Sequence, residues 1–254
     1  MRNILAIAQK ELRAYFASPI AYIVIGFFAL LYGIFFVAIL NYFVSASMQA
    51  GLTGGAQSMN VNQQLVRPLL QNVAVVVLFM LPMVTMRTYA EEKRSGTIEL
   101  LLTSPITDFQ IVMGKFFGAM ALYCAMLAVT LFHLAVLYMY GRPEWKPILT
   151  SYVGLLLFGG SFVALGLFVS SLSKNQIVAG AVTFALSLML WIITWLNFGA
   201  SASDKVLGYL SIIDHLDDFS KGVIDTTHVI YYLSFITFGL FLTAKSVDSE
   251  RWRG

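Results

Sequence analysis

Six long apolar stretches decide what this chain can become. They fall at roughly 20–44, 69–90, 115–140, 148–172, 176–199 and 229–245, and the first reads IAYIVIGFFALLYGIFFVAIL. A bilayer core of about 30 Å takes about 20 apolar residues of helix. Within lipid a helix satisfies its own backbone groups. The expected fold is therefore all-α: a polytopic membrane protein with six transmembrane helices, forming one domain over residues 1–254. Composition agrees, with 59% of residues apolar and 11% charged, against about 45–50% and about 25% in soluble domains. The single cysteine, Cys124, excludes an intrachain disulfide and reads as a small buried packing residue. The first run starts only after Pro19 and is too long for a leader's apolar core, so no cleavable signal is expected.

Basic residues orient the spans, because Lys and Arg favour the cytoplasmic side. With the N-terminus inside, the cytoplasmic segments hold eleven: Arg2, Lys10, Arg13, Arg87, Lys93, Arg94, Lys115, Lys174, Lys245, Arg251 and Arg253. The outer segments hold five: Arg67, Arg142, Lys146, Lys205 and Lys221. Both termini are expected in the cytoplasm, and the protein in the inner or plasma membrane. Tyr138, Tyr140, Trp191, Trp195, Tyr231 and Tyr232 fall near outer ends, as interface anchors do. Pro82 inside the second span predicts a kink there, since proline removes a backbone donor and crowds the preceding turn.

Residues 1–18 precede the first span. Their apolar positions 4, 5, 7, 8, 12, 15 and 16 share one helical face, with Lys10 and Arg13 elsewhere. That pattern predicts an amphipathic interfacial helix on the inner surface. The stretch at 45–67 is polar and Gly-rich and reads as a mobile outer loop. The outer stretch at 200–228 interleaves aspartates with apolar residues and reads as an amphipathic segment. Asp214, His215, Asp217 and Asp218 read as a solvated acidic face rather than as metal ligands, because helical spacing spreads them around the axis.

No phosphate-binding GxxxxGK[ST] and no legible nucleophile–base set occurs in the chain. Nothing catalytic, no metal and no cofactor of its own is expected. His133 lies well inside the third span and reads as a hydrogen-bonded packing residue, since a proton relay needs several linked groups. Gly154, Gly159, Gly160 and Gly166 in the fourth span allow close helix approach.

One segment interrupts the apolar pattern: EEKRSGTIELLLTSPITDFQIVMGK, Glu91 to Lys115. Gly96 lets the chain turn. TIELLLTS, about 97–104, is a short helix that Pro105 stops, because the residue before proline is pushed out of helical geometry. Ile98, Leu101 and Leu102 share one side, facing either the membrane domain or a partner's groove. Thr107 and Gln110 form a capping box that starts the third span.

Glu91, Glu92, Lys93, Gly96, Thr97, Glu99, Leu101, Leu102, Ser104, Pro105 and Ile106, with Lys115 ten residues beyond the proline, resemble the signature of type-2 ABC-transporter permeases. LFVSSLSKNQIVAGAVTFAL at 167–186 resembles that family's turn between the fourth and fifth spans. DHLDDFSKGVIDTTHVIYYLSF at 214–235 is similar to gliding-motility (GldF-like) and NosY-like members. The resemblance implies a permease subunit that pairs with a second, identical or homologous permease in the bilayer. It also implies two separate ATP-binding subunits, which carry the ATP and Mg²⁺. The short helix is then the coupling helix, with Glu91, Glu92, Lys93, Gly96, Thr97, Glu99, Leu101, Leu102 and Pro105 as its docking residues, and Lys10, Glu11 and Arg13 of the N-terminal helix form the other side of a cradle. Export is the expected direction, and no nucleic-acid partner is expected. Two alternatives remain open at this level. One is a scaffold that passes ATPase-driven motion to an outer-face accessory protein. The other is a secondary transporter, against which stand the few intramembrane charges and the lack of inverted repeats.

Overall fold

The computed structural model describes residues 2–52, 60–141, 143–196 and 208–251. In chain order the α-helices are α1 (Arg2–Ala17), α2 (Pro19–Leu52), α3 (Arg67–Thr85), α4 (Arg87–Ser95), α5 (Ile98–Leu102), α6 (Asp108–Tyr140), α7 (Trp145–Leu172), α8 (Gln176–Ile192), α9 (Asp214–Ser220) and α10 (Thr226–Arg251). Among the described residues five helical runs are long and apolar enough to cross a membrane: α2, Asn62–Ser95, α6, α7 and α10. The shorter apolar helix α8 continues as a 3₁₀ turn through Leu196. The protein is an all-α multi-pass membrane protein.

The bundle is built around α7, which packs against α3, α8, α9 and α10. Small residues let it do so. A Cβ at Gly159 would lie 2.1 Å from the Tyr123 ring, so α6 and α7 meet closer than any larger residue permits. Tyr123 then donates its hydroxyl to the Leu155 carbonyl at 2.7 Å. In lipid no hydrophobic force pulls helices together, and close contact of this kind takes its place. By contrast α2 buries one stripe, Ala21, Val24, Phe28 and Tyr32, and exposes Tyr22, Ile23, Phe27, Leu30 and Ile34. That is the surface a helix presents to acyl chains.

Several boundaries and faces differ from the sequence expectations. The run at 45–67 is not wholly loop: α2 continues through Leu52, and Asn62–Val66 form a π-helical turn leading into α3; residues 53–59 lie outside the described part. The second span runs on through α4, and its interruption comes at Met86, one turn after Pro82. The last span is longer than 229–245 at both ends. The α-helix of the fifth ends at Ile192, and 197–199 lie outside the described residues, as do 200–207 of the following stretch. Cys124 is exposed on the outward side of α6 rather than buried. Tyr231 and Tyr232 are buried, not interface anchors, and donate to the carbonyls of Leu210 and Ile212. His133 packs among Tyr32, Phe36 and Phe132, with Nδ1 3.3 Å from the Val129 carbonyl oxygen.

Candidate functional site

The interrupting segment lies where α1, α4, α6 and the end of α10 converge. Its shape follows from local signals. Gly96 closes α4 in the left-handed region at φ 73°, which a side chain would strain. After the single turn of α5, the Thr103 and Ser104 hydroxyls donate back to the Glu99 and Leu100 carbonyls. These bonds satisfy the orphan acceptors of the helix end before Pro105. Thr107 then accepts from the Gln110 amide at 3.3 Å, while Gln110 Oε1 accepts from the Thr107 amide at 3.4 Å. The capping box starts α6 seven residues before Lys115, so this helix begins outside the apolar run.

The α3–α4 interruption is made by distant side chains. Ser170 of α7 donates its hydroxyl to the Met86 carbonyl at 2.9 Å and accepts from the Tyr89 and Ala90 amides at 3.1 Å each. On the other side Tyr15 of α1 donates to the Val84 carbonyl at 3.1 Å and lies 3.3 Å from the Thr88 hydroxyl. A side chain inserted into the helical ladder is a recognised cause of a bend. Burial pushes the Tyr15 phenol up to about 12, against the opposing Thr88 bond, so it stays a neutral donor.

Helix α1 is seated on α6 by two glycines. A Cβ at Gly114 would fall 2.6 Å from Ile7, and one at Gly118 would fall 2.6 Å from Glu11. The buried face of α1 is Ile7, Glu11 and Tyr15, while Leu5 is exposed. The apolar stripe therefore holds except at Leu5, and a glutamate joins it. Glu11 turns inward to Lys115.

Lys115 has no exposed side-chain surface. Its ammonium lies 2.9 Å from Glu11, 2.9 Å from Glu92 and 2.8 Å from the Thr88 carbonyl, and 4.9 Å from the centre of the Tyr89 ring. Lys10 reaches Glu92 at 3.0 Å from the solvent side. Burial works against the Lys10 charge, but the adjoining Glu92 carboxylate outweighs it and raises its pKa. A buried cation of this kind persists only when paired and hydrogen-bonded. The cluster thereby ties α1, α4 and α6 into one piece.

Helix α10 adds a second set of ties. Lys93 is buried and reaches Glu250 at 2.6 Å. The next residue, Arg251, reaches Asp108 at 2.9 Å and the Ile106 carbonyl at 3.5 Å. The last turn of α10 thus grips both the helix that enters α5 and the one that leaves it.

The residues singled out in the sequence now separate. Glu92, Lys93 and Glu11 face inward, and Lys10 joins them from the edge. Glu91 is exposed and pairs with Arg87 at 3.1 Å. Ile98 is buried and Leu101 packs against the core, so this side of α5 faces its own bundle. The side chain of Leu102 lies outside the described part. Arg13, Gly96, Thr97, Glu99 and Pro105 are exposed, and so is Leu100, at 71%. Sequence reasoning passed over Leu100 because it opens one apolar run with Leu101 and Leu102. It also missed Ser170, Glu250 and Arg251, which carry no local signal.

Two hollows flank this end. A polar pocket of about 310 Å³ lies between α1 and α4, lined by Lys10, Tyr15, Arg87, Glu91, Glu92 and Thr97 among others. A larger apolar cavity of about 750 Å³ opens between α2, α3 and α8, lined by residues such as Phe27, Leu31, Phe79, Met83, Ile177 and Phe184. Among the described residues no group of three or more His, Cys, Asp or Glu is arranged to hold a metal.

Comparison with known proteins bears on this geometry. Two curated relatives, from Escherichia coli K12 and E. coli O157:H7, carry the same name, probable multidrug ABC transporter permease YbhR. Each is 27% identical to this chain over 142 residues, covering 49% of this chain and 38% of the relative. The aligned part of this chain thus spans well under half the length of those relatives. The model of the ABC-2 family transporter proteins matches residues 5–244, from the start of α1 to near the end of α10. With the match running through every helix that builds the α5 end, the chain belongs to the ABC-2 family of transporter proteins.

Proposed function

We propose that this chain is the permease subunit of an ABC exporter and that α5 is the point where a separate ATP-binding subunit pushes on it. The observation that carries the reading is the buried Lys115 cluster directly behind an exposed turn. Force applied at Glu99, Leu100 and Pro105 meets a block of α1, α4 and α6 that side-chain ion pairs hold rigid. The block's connection to α3 is the interrupted backbone at Met86, where α4 tilts most readily. Movement of α4 then reaches the α2–α3–α8 cavity through α3. That cavity's apolar lining suits a hydrophobic small molecule, in keeping with the multidrug name of the relatives. In this reading the α5 end and both termini face the cytoplasm, and the chain sits in the inner or plasma membrane. Two ATP-binding subunits, which hold ATP and Mg²⁺, dock beneath a pair of permease subunits.

The test is co-purification from native membranes in mild detergent. The complex is expected to hydrolyse ATP, with the activity residing in the co-purifying subunit. Leu100→Asp is expected to leave the chain inserted and abolish co-purification, because a charge is then forced into an apolar docking groove. ATP hydrolysis by the pure isolated chain, or unaltered co-purification of Leu100→Asp, overturns the proposal.

A further inference from the structure

At the opposite end of the bundle, α9 folds back onto the start of α10 and brings two histidines face to face. His215 Nδ1 lies 2.6 Å from His228 Nδ1. We infer that His215 and His228 bind one shared proton between their Nδ1 atoms, and that this proton latches α9 to α10.

The assignment follows from what the other ring nitrogens touch. His215 Nε2 lies 3.0 Å from the Tyr209 carbonyl oxygen, which only accepts, so Nε2 carries a hydrogen. His228 Nε2 lies 2.9 Å from Asp218 Oδ2. The Lys221 and His228 bonds hold the Asp218 carboxyl below its ordinary value, so it is an acceptor and His228 Nε2 also carries a hydrogen. Both Nδ1 atoms then point at each other with their remaining valence. With no proton between them, two lone pairs face each other. With two, a pair of N–H groups and two positive rings collide. One proton makes a linear chain from the Tyr209 carbonyl through both rings to Asp218. The separation also argues against a metal bridge, since two nitrogens each at about 2.0–2.1 Å from one ion at a tetrahedral angle lie farther apart than this pair.

The surroundings fit a single extra charge. Asp218 and Asp214 lie close enough to His215 to favour its protonated form. Asp217 is engaged by Arg67 of α3 and by Lys221, and Asp225 caps Thr227 at the start of α10. Tyr231 of α10 stacks on the His215 ring at 3.9 Å, and Tyr232 and Tyr209 approach it edge-on. Burial pushes the His215 ring down, with the Tyr209 bond opposing and the His228 charge adding to the effect. A second proton therefore enters only below the ordinary histidine range. A depressed histidine contributes stability above its unfolded value and loses it as pH falls through the folded value. The latch opens on acidification, when the second proton enters, and opens again as pH rises far enough to remove the shared one.

The test uses the full chain in lipid nanodiscs with ¹⁵N-labelled histidine. The chain has three histidines, so a His133→Gln background leaves only the pair. Near pH 7 one Nδ1 is expected to be protonated and the other bare, with scalar coupling across the bond. On acidification the coupling is expected to vanish as a second proton enters the pair. Hydrogen exchange of the α9 amides, corrected for intrinsic rate, is then expected to rise about tenfold, and the same rise is expected for His228→Gln at neutral pH. Two rings titrating independently near the ordinary value, or two bare Nδ1 atoms at pH 7, overturn the inference. So does equimolar Zn²⁺ that displaces the shared proton and protects α9 more strongly than the proton does. The wild-type chain, with the His133 signals assigned by comparison with His133→Gln, gives the same readout of the pair should that variant fail to fold.

Discussion

At the α5 end, Lys115 has no exposed side-chain surface and meets Glu11 and Glu92 at 2.9 Å each. At the α9 end, the Lys221 side chain is 44% exposed and meets Asp217 and Asp218 at 2.8 and 2.9 Å. The distances are the same, and the consequences are not. A solvent-exposed pair gains little, because water competes and two long side chains must be held still. A buried lysine that loses a carboxylate is left as an uncompensated charge. The partners differ too. Lys115 joins three helices, whereas Lys221 binds aspartates on its own α9, three and four residues away. Charge at one end holds the bundle together, and at the other it mostly decorates one short helix, with Arg67 providing an ion-pair tie to α3.

The largest expected effect comes from breaking the buried set. Removing Glu92 alone, as Glu92→Leu, should destabilise the chain by up to about 3–5 kcal/mol, because it leaves the buried Lys115 with Glu11 as its one remaining carboxylate. Replacing Glu11, Glu92 and Lys115 together with apolar residues of similar size should restore most of that stability. It should not restore coupling, if the ion set also positions α4. Thermal unfolding in micelles reads the first effect, and partner-stimulated ATP hydrolysis the second. A smaller effect is expected at the α10 clamp. Lys93→Ala should cost about 1.5–3 kcal/mol, the range for hydrogen bonds to charged groups. The swap of Lys93→Glu with Glu250→Lys should recover part of it. No recovery would mean that the pair is incidental to the packing of α10.

The smallest effects belong to the α9 end. Arg67→Met should change stability by about 1 kcal/mol or less, and less still at high salt. Lys221→Ala should be neutral in the same assay. Burial opposes the Asp217 charge, but Lys221 and Arg67 outweigh it and hold the carboxyl below its ordinary value. A lowered carboxylate contributes stability above its unfolded value and loses it as pH falls through the folded one. Acid should therefore weaken this tie only well below the range in which the histidine latch opens. If Arg67→Met costs as much as Glu92→Leu, the contrast between the ends fails.

How much of this the sequence displays depends on the reach of each signal. The apolar helices, the Gly96 turn, the Pro105 stop and the Thr107–Gln110 capping box rest on local signals, and the turn, the stop and the box stand in the structure where their residues place them. The direction of side chains around α4 and α1 was not legible. Glu11, Glu92 and Lys93 read as surface charges because carboxylates and ammonium groups ordinarily are. Their partners Lys115 and Glu250 lie far away in sequence, and no local pattern announces them. Pro82 pointed to a bend nearby, but Ser170 of α7 and Tyr15 of α1 place the interruption at Met86. Cys124 lies in a run apolar on every side, where periodicity does not distinguish the lipid face from the core. His215 and His228 are separated by the Gly222 turn, and only the fold-back of α9 brings their rings together.

The central claim is that the α5 end receives a separate ATP-binding subunit. Site-specific photo-crosslinking in native membranes tests it most directly. A photoreactive residue is placed at exposed position 100 in α5 and, in a separate chain, at exposed position 224 beside α9. The account predicts that an ATP-binding subunit is captured from position 100, more strongly when nucleotide is added, and not from position 224. Capture from position 224 with none from position 100 would contradict it.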